Sequence, residues 1–341
     1  MRRRTRRFAA STAALAALSL GLGACGGGGG ERLTVYSGRT ADLIKPILKR
    51  FSDETGISVD FLPGDSADLA LQIDTEGDKS PADVFLSQSP GAMGYLDGKG
   101  RMAALPGDVL DRVPERFQGG DGNWVGISGR VRVLVYNTNQ VDEADLPDSV
   151  LDLTDAKYRG KVGVAPTNGS FQDFVSGMRE LLGDDKALAW LKGMVENQAR
   201  TYENNNAILE AVQRGEIPFG LVNHYYNERA KGEDPGTPTE NHLFADGDPG
   251  TMILVTAAGI VDTSHHKESA RRLVEFLLSK EAQEYFASET FEYPLVTGVK
   301  PAVEDLPALD SIAAPRLDMS GLGADLQKTR EMIRDSGLER S

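Results

Sequence analysis

The sequence is poor in cysteine and in histidine. Its 341 residues contain one cysteine, Cys25, and four histidines. A single cysteine cannot form an intramolecular disulfide, so the folded part of the chain has to be stable through its hydrophobic core. The sequence also lacks an HExxH zinc motif, a Gly-x-Ser-x-Gly nucleophile elbow and a P-loop. We therefore expect a protein that is not an enzyme.

Basic residues are scarce as well. The chain has 37 Lys and Arg against 51 Asp and Glu, which gives a formal net charge of −14. Five of the arginines lie within the first seven residues, and without them 32 basic residues remain and the net charge falls to about −19. Such an acidic surface argues against nucleic acid or an anionic membrane as a partner. It is compatible with a cationic ligand, although solubility alone also explains it.

Long hydrophobic runs are missing outside the N-terminal segment. Residues 1–24 consist of a basic stretch, a short run rich in Ala and Leu, and small residues, which is typical of an export signal and too short for a permanent membrane span. The sequence Leu-Gly-Ala before Cys25 resembles the lipobox of bacterial lipoproteins. We therefore expect acylation at Cys25, a glycine-rich tether over residues 25–31, and a protein anchored by lipid to the outer face of the cell membrane. A free cytosolic thiol is the alternative.

Strands and helices alternate along the rest of the chain. Residues 32–36 read as a strand, apolar residues between Leu43 and Phe51 recur on one helix face, and residues 57–62 read as a second strand. The alternation resumes between residues 162 and 222. This pattern predicts an α/β fold with mostly parallel sheets flanked by helices. Ligands of such sheets bind at the carboxyl ends of the strands.

Two long β-rich passages interrupt this alternation. They cover residues 124–136 and 252–261. We interpret them as hinge crossings between two α/β lobes with a cleft between them. The predicted lobe 1 comprises residues 32–127 plus 262–303, lobe 2 comprises residues 128–261, and residues 304–341 form a helical segment that packs on the lobes.

Eight segments, taken in order, resemble one protein family. They are VYSGRT, FSDETGISVDF, EGDKSPADVFLSQ, GRVRVLVYN, APTNGSF, NNNAILEAVQRGEI, NHYYNE and EYPLVTGV. Between Leu33 and Val299 they are similar, in order and in spacing, to the bacterial solute-binding proteins of ferric-iron ABC importers. The resemblance implies a two-lobed type II periplasmic-binding fold that closes over Fe³⁺. It also implies a monomer that delivers the ion to an ABC permease and its ATPase.

The same resemblance implies a set of metal ligands. Tyr225 and Tyr226 match the Tyr-Tyr pair that supplies two phenolates in the family, and Tyr136 is the candidate for a further tyrosine ligand. Thr40 and Gln88 stand where many members carry a histidine and a carboxylate, so Gln88 is at most a neutral oxygen donor. Most of the metal binding is therefore expected from lobe 2.

Elementary chemistry restricts how the two tyrosines can act. A phenol has a pKa near 10, so only a strongly charged cation displaces its proton, and hard cations prefer anionic oxygen donors. Successive residues of a strand face opposite ways, so both side chains reach one ion only if the strand ends near Asn223 and a helix begins. The change from FGLV to NERAKGE predicts this transition. For an isolated Tyr-Tyr, simple packing of two aromatic rings is the alternative.

A small polar turn predicts an anion site. Residues 167–170 follow a predicted strand and precede a predicted helix, so their backbone amides would converge on a negative group. A simple helix cap is the alternative. In the family this turn helps to hold carbonate or phosphate beside the metal, and Asn168, Gly169 and Ser170 match it. The other residues expected to contact the anion are Asn205, Asn223, Ser89 and Arg39. For Arg39, an acidic residue across the cleft is the alternative partner.

Several further side chains have open interpretations. His224 either supports the tyrosines or lies at the surface. His265 and His266 are interpreted as a solvated helix start. Arg130 and Arg132 share one side of a strand and either bind the anion or form salt bridges. Two other functions also stay open: the same fold with an organic or oxyanionic solute (a phosphonate, thiamine, a polyamine or a chelated metal), or a sensor without transport.

Overall fold

The first 32 residues of the folded chain form the predicted βαβ unit. Strand β1 covers Arg32–Ser37, helix α1 covers Ala41–Thr55 and strand β2 covers Ser58–Pro63. The apolar residues that were predicted to share one face of α1 are all buried. Gly56 ends the helix with a φ of 73°, a left-handed conformation that glycine adopts without strain.

The computed structural model describes residues 31–304, 306–323 and 325–340. The predicted signal segment and Cys25 lie outside these residues.

The compact unit spans Glu31–Ser341. Its other strands are β3 (Val84–Ser87), β4 (Met102–Ala103), β5 (Trp124–Asn137), β6 (Val162–Val164), β7 (Arg200–Thr201), β8 (Phe219–Asn223), β9 (Thr239–His242) and β10 (Ile253–Val261). Its other helices are α2 (Ser66–Glu76), α3 (Pro90–Gly98), α4 (Gly107–Leu110), α5 (Gly169–Leu182), α6 (Asp184–Glu196), α7 (Asn205–Gln213), α8 (His224–Glu233), α9 (Lys267–Leu277), α10 (Lys280–Ser288) and α11 (Leu326–Ser336).

The strands form a mixed sheet in the order β2-β1-β3-β10-β5-β8-β6-β7, with β4 beside β10 and β9 beside β5. β1 is parallel to β2 and β3, and β6 is parallel to β7 and β8. The strands between these two groups, β10 and β5, run antiparallel to their neighbours. The predicted α/β class is therefore confirmed, and the two antiparallel strands lie at the passages that the sequence marked as crossings.

β5 connects the two parallel groups. All 14 of its residues are buried. Its first part pairs with β10, and its second part pairs with β8 from Arg132 opposite Asn223 to Tyr136 opposite Phe219. β10 is one continuous strand with a register shift between Thr256 and Ala257. β5 therefore lies in the core along its whole length and takes part in both pairings.

The buried apolar side chains form two clusters. The first contains side chains of β1, β3, α1 and α9, and the second is centred on α5 and α6 with Phe171, Phe174 and Trp190. Helix α11 packs against α5 and α6, where Arg179 donates a hydrogen bond of 2.7 Å to Thr329. Among the described residues, no helix combines the length and the apolar character that crossing a membrane requires.

Candidate metal and anion site

The two adjacent tyrosines lie at a strand-to-helix junction. β8 ends at Asn223 and α8 begins at His224, as the composition change predicted. Neighbouring residues of a helix project about 100° apart, so Tyr225 and Tyr226 can lie on the same side of the junction. Their rings stack at 4.3 Å between centroids and 27° between planes. Both side chains are buried, Tyr225 completely.

A side chain from the first parallel group meets this pair. Gln88, directly after β3, donates a hydrogen bond of 3.2 Å from Nε2 to the Tyr225 hydroxyl. Burial, followed by the neighbouring Tyr226, raises the pKa of Tyr225 well above 10. Without a cation the Tyr225 hydroxyl is therefore protonated at neutral pH.

Arg39 is the residue of the first turn that faces the tyrosines. Its side chain is fully buried, whereas Thr40 is exposed. Two hydrogen bonds of 2.8 and 2.6 Å join its guanidinium to the carboxylate of Glu292, and a third of 3.1 Å reaches the Thr256 hydroxyl. Burial acts to lower the pKa of Arg39, but Glu292 and Tyr225 outweigh it and the pKa is raised. The first turn therefore brings a fixed cation to the site.

Arg130 and Arg132 bring two more buried cations from β5. Arg130 donates to the backbone oxygen of Gln88 and lies 3.5 Å from the carboxylate of Asp173. Arg132 donates to the side-chain oxygens of Asn223 and Ser170 at 3.3 and 3.4 Å. Burial lowers the pKa of Arg130, and burial together with the charge of Arg130 lowers the pKa of Arg132 to about 9.

The predicted anion turn is a capped helix start. Asn168 is the N-cap of α5, and its side-chain oxygen accepts hydrogen bonds from the backbone and the hydroxyl of Ser170 at 3.1 and 2.6 Å. Asn205, the first residue of α7, donates to the Ser170 hydroxyl at 3.2 Å. The turn therefore forms a helix cap, which was the alternative interpretation. It does not exclude an anion, because the backbone amides of the first turn still point beyond the cap.

Several buried polar atoms of the site have no hydrogen-bond partner among the residues that the structure describes. They are Asn205 Oδ1, Asn223 Nδ2 and the Nε atoms of Arg39, Arg130 and Arg132. Buried polar groups in folded proteins are nearly always paired. A cluster with four unpaired donors fits a site that receives an acceptor-rich ligand.

Ser89 connects the turn after β3 to helix α5. It is the N-cap of α3, and its hydroxyl donates a hydrogen bond of 2.5 Å to Asp173. Burial raises the pKa of Asp173 to about 6. A Cβ atom on Gly169 would lie 4.0 Å from that of Ser89 and 3.7 Å from a carboxylate oxygen of Asp65. The two parallel groups are therefore in direct contact at the anion turn.

Tyr136, the candidate for a further tyrosine ligand, lies apart from this group. It pairs with Phe219 at the start of β8, whereas the tyrosine pair follows the end of β8. Tyr136 is four positions after Arg132, a distance of about 13 Å along β5. Its ring belongs to the second hydrophobic cluster, and burial and Glu143 raise its pKa.

The histidines take different places. His224 is buried, accepts a hydrogen bond of 3.2 Å from the Val131 amide and packs edge-on against Tyr225, so it supports the pair rather than lying at the surface. Burial lowers its pKa to about 3. His265 and His266 are exposed at the start of α9, as interpreted. No group of three or more His, Cys, Asp or Glu side chains among the described residues could hold a metal ion.

Two buried carboxylates of the site were not identified from the sequence. Asp173 is four residues after Gly169 and so lies on the same face of α5, which is a signal that the spacing contained. Glu292 is 253 residues from Arg39 in the chain, and nothing local to it indicates the pairing. Both carboxylates partly neutralise the three arginines.

Comparisons with known proteins agree with this architecture. Residues 79–316 match the family described as bacterial extracellular solute-binding protein. The chain is 30% identical to an Fe(3+)-binding periplasmic protein of Serratia marcescens over 94% of this chain and 95% of the relative. The solved structure of iron-bound HitA from Pseudomonas aeruginosa matches with a TM-score of 0.85 and 35% identity, covering 90% of this chain and 99% of HitA.

A second solved structure extends the comparison. The Trichodesmium protein IdiA (FutA), in complex with iron and citrate ligands, matches with a TM-score of 0.74 and 28% identity over 90% of this chain and 99% of that protein. Both the sequence match and the fold therefore agree over most of the chain. The chain belongs to the bacterial extracellular solute-binding protein family and has the type II periplasmic-binding fold.

Proposed function

We propose that this protein captures Fe³⁺ outside the cytoplasm, together with a small anion, and delivers it to an ABC permease for iron uptake. The observation that carries the proposal is the buried tyrosine pair at the start of α8, next to the capped turn of α5. Relatives and solved neighbours of this chain are named for ferric-iron binding.

The tyrosine pair supplies the ion selectivity in this proposal. Two phenolates are hard anionic donors and favour Fe³⁺ over softer or less charged ions. The raised pKa of Tyr225 means that a bound cation has to displace a proton, which a trivalent ion does most effectively. Gln88 Nε2 donates to Tyr225, so its amide would have to turn before its oxygen could contact the ion.

The buried charges support a doubly charged anion. Three guanidiniums (Arg39, Arg130 and Arg132) and two carboxylates (Asp173 and Glu292) leave one positive charge in the site. Fe³⁺ with two phenolates adds one more. Carbonate or hydrogen phosphate would neutralise both and would satisfy the unpaired donors near Asn168 to Ser170.

Transport requires further parts that we infer from the family. We propose two lobes, residues 32–127 plus 262–303 and residues 128–261, that close by bending at β5 and β10. Binding would stabilise the closed form, which the permease and its ATPase would recognise. We also propose that the protein acts as a monomer and is held at the membrane only by a lipid on Cys25.

The visible spectrum tests the iron assignment. Addition of Fe³⁺ with bicarbonate or phosphate to the purified protein should produce a phenolate-to-iron charge-transfer band. Tyr225→Phe should abolish the band because it removes a donor atom and retains the ring. Tyr136→Phe is the matched control and should keep the band. A colourless wild-type protein, or a Tyr225→Phe protein with the same band, would contradict the proposal.

An organic oxyanion is the second candidate ligand. It is favoured by the three buried arginines and by the absence of a carboxylate at Gln88. In this case a phosphonate or a similar anion should raise the melting temperature of the iron-free protein, and Fe³⁺ should add nothing. If the anion has no effect without iron, the first candidate is favoured.

A further inference from the structure

A cavity lies behind the tyrosine pair, on the other side of β5. Its volume is about 420 Å³, which is the size of a small-molecule site. Val131 and Val133 line it. Side chains alternate along a strand, so Arg130 and Arg132 face away from this cavity and toward the tyrosines. The cavity and the arginine side chains thus lie on opposite faces of one strand.

The charged side chains that line this cavity carry one net negative charge. Lys231 and Glu240 form an ion pair of 2.7 Å at its edge. Glu228 is half-buried and forms no ion pair with any residue that the structure describes. Asn241 Nδ2 holds its carboxylate through a hydrogen bond of 2.8 Å and also donates to the backbone oxygen of His224 at 3.0 Å. The carboxylate of Glu228 is therefore oriented by Asn241, and Lys231, whose charge acts on it, is paired with Glu240.

Aromatic rings form another wall. The Tyr293 ring is buried, and within the described part of the chain its hydroxyl has no hydrogen-bond partner. Phe291 has a φ of 57°, a conformation that is strained for a residue with a side chain. A Cβ atom on Gly232 would lie 3.0 Å from the Phe291 ring, so the glycine lets this ring lie against α8.

We propose that this cavity binds a small organic cation, a primary or secondary ammonium group attached to an apolar body. The ammonium would donate to Glu228 and to the Tyr293 oxygen, and the rings of Tyr293 and Phe291 would stabilise its charge. The apolar body would contact the valines of β5 and Leu306. This site does not depend on iron, and the arginines of the first site would repel the same ligand.

Isothermal titration calorimetry of the full chain with benzylamine tests the proposal, with benzyl alcohol and benzoate as the neutral and anionic analogues. Benzylamine should bind the wild-type protein at a single site, whether or not Fe³⁺ is present. Both analogues should bind at least tenfold more weakly because they cannot form the charged hydrogen bond with Glu228.

Two variants and one control locate the site. Glu228→Gln should weaken benzylamine at least tenfold, and Tyr293→Phe should weaken it severalfold. Glu233→Gln removes an exposed carboxylate of the same helix that does not line this cavity, and it should leave the affinity unchanged. The melting temperature and the iron band of each variant report its folding. Equal affinities for benzylamine and benzyl alcohol, no binding at millimolar concentration, or unaffected binding in Glu228→Gln would overturn the proposal without affecting the iron assignment.

Discussion

At the scale of single residues, Asp173 is a buried carboxylate whose pKa depends on two opposing effects. Its carboxylate has no exposed surface and is held by Ser89, by the Gly91 amide and by the nearby charge of Arg130. These contacts favour the ionised form, but burial outweighs them and the pKa rises to about 6. At neutral pH the Asp173 carboxylate is therefore ionised and buried, which lowers the stability of the folded protein.

This shift predicts a pH dependence with a definite sign. Between about pH 4 and 6 the folded state binds more protons at Asp173 than the unfolded state, so the free energy of unfolding falls as the pH rises through this window. We expect the stability of the wild type relative to Asp173→Asn to be greater at pH 4 than at pH 7 by up to about 3 kcal/mol.

Urea denaturation of the iron-free proteins at both pH values measures this difference. Asp185→Asn, which removes an exposed carboxylate at the start of α6, gives the background change. A difference between wild type and Asp173→Asn that stays constant with pH would show that Asp173 titrates alike in the folded and unfolded states.

The sequence revealed local features of the site better than long-range ones. The strand-to-helix change at Asn223 was visible in composition, and the polar turn at Asn168 was visible in its spacing to a strand and a helix. Arg39 was a candidate for the anion or for an acidic partner, and the structure pairs it with Glu292, which is 253 positions away. Such a pairing depends on how distant segments pack, which no local pattern contains.

At the scale of elements, helix α3 and the C-terminal segment approach each other closely. A Cβ atom on Gly94 would lie 2.7 Å from the backbone oxygen of Ser320, and one on Gly323 would lie 2.1 Å from the Tyr95 amide nitrogen. Real Cβ contacts are never this short, so glycine at both positions is a condition for docking. This contact holds the predicted C-terminal segment, residues 304–341, against α3.

Gly94→Ala should therefore destabilise the protein by about 1–3 kcal/mol, because either the helix or the segment has to shift. Gly98→Ala on the same helix is the matched control, since nothing lies within 4 Å of its added methyl group, and it should be neutral or slightly stabilising. Chemical denaturation followed by circular dichroism measures both. Equal stabilities of the two variants would show that the segment adapts without cost.

Elements whose burial shows within one segment of sequence were predicted well. The apolar face of α1 recurs at helical spacing, and β5 is a long run of mostly apolar residues, so both could be recognised locally. The distance of Tyr136 from the pair was missed for a related reason. Tyr136 lies in the right strand, but only the register of β5 against β8 shows that it is at the opposite end of β8 from the tyrosine pair.

At the scale of the whole molecule, several contacts join the predicted lobes across the site, and three of them are made by the turn after β3. Gln88 donates to Tyr225, Arg130 donates to the backbone of Gln88, and Ser89 donates to Asp173. These contacts lie on the side of β5 that carries the arginines. If the lobes separate by bending at β5 and β10, all three break together, and a ligand that joins the tyrosines to the anion turn would hold them closed.

A designed disulfide tests this closure directly. The Cβ of Ser89 and the position of a Cβ on Gly169 are 4.0 Å apart, within the range of disulfides. In a Cys25→Ser background, Ser89→Cys with Gly169→Cys should form the bond under mild oxidation. Fe³⁺ with bicarbonate should speed its formation, because the ligand increases the population in which the two residues meet.

Gel mobility of alkylated samples over time measures the rate, and each single-cysteine variant is the control for intermolecular bonds. The iron band of the reduced double variant shows whether it still binds. Iron release to a chelator should then be slower from the oxidised protein than from the reduced one, since the lobes can no longer separate. Equal bond formation with and without iron, in a variant that retains the band, would mean that the two halves do not open and that release requires another route.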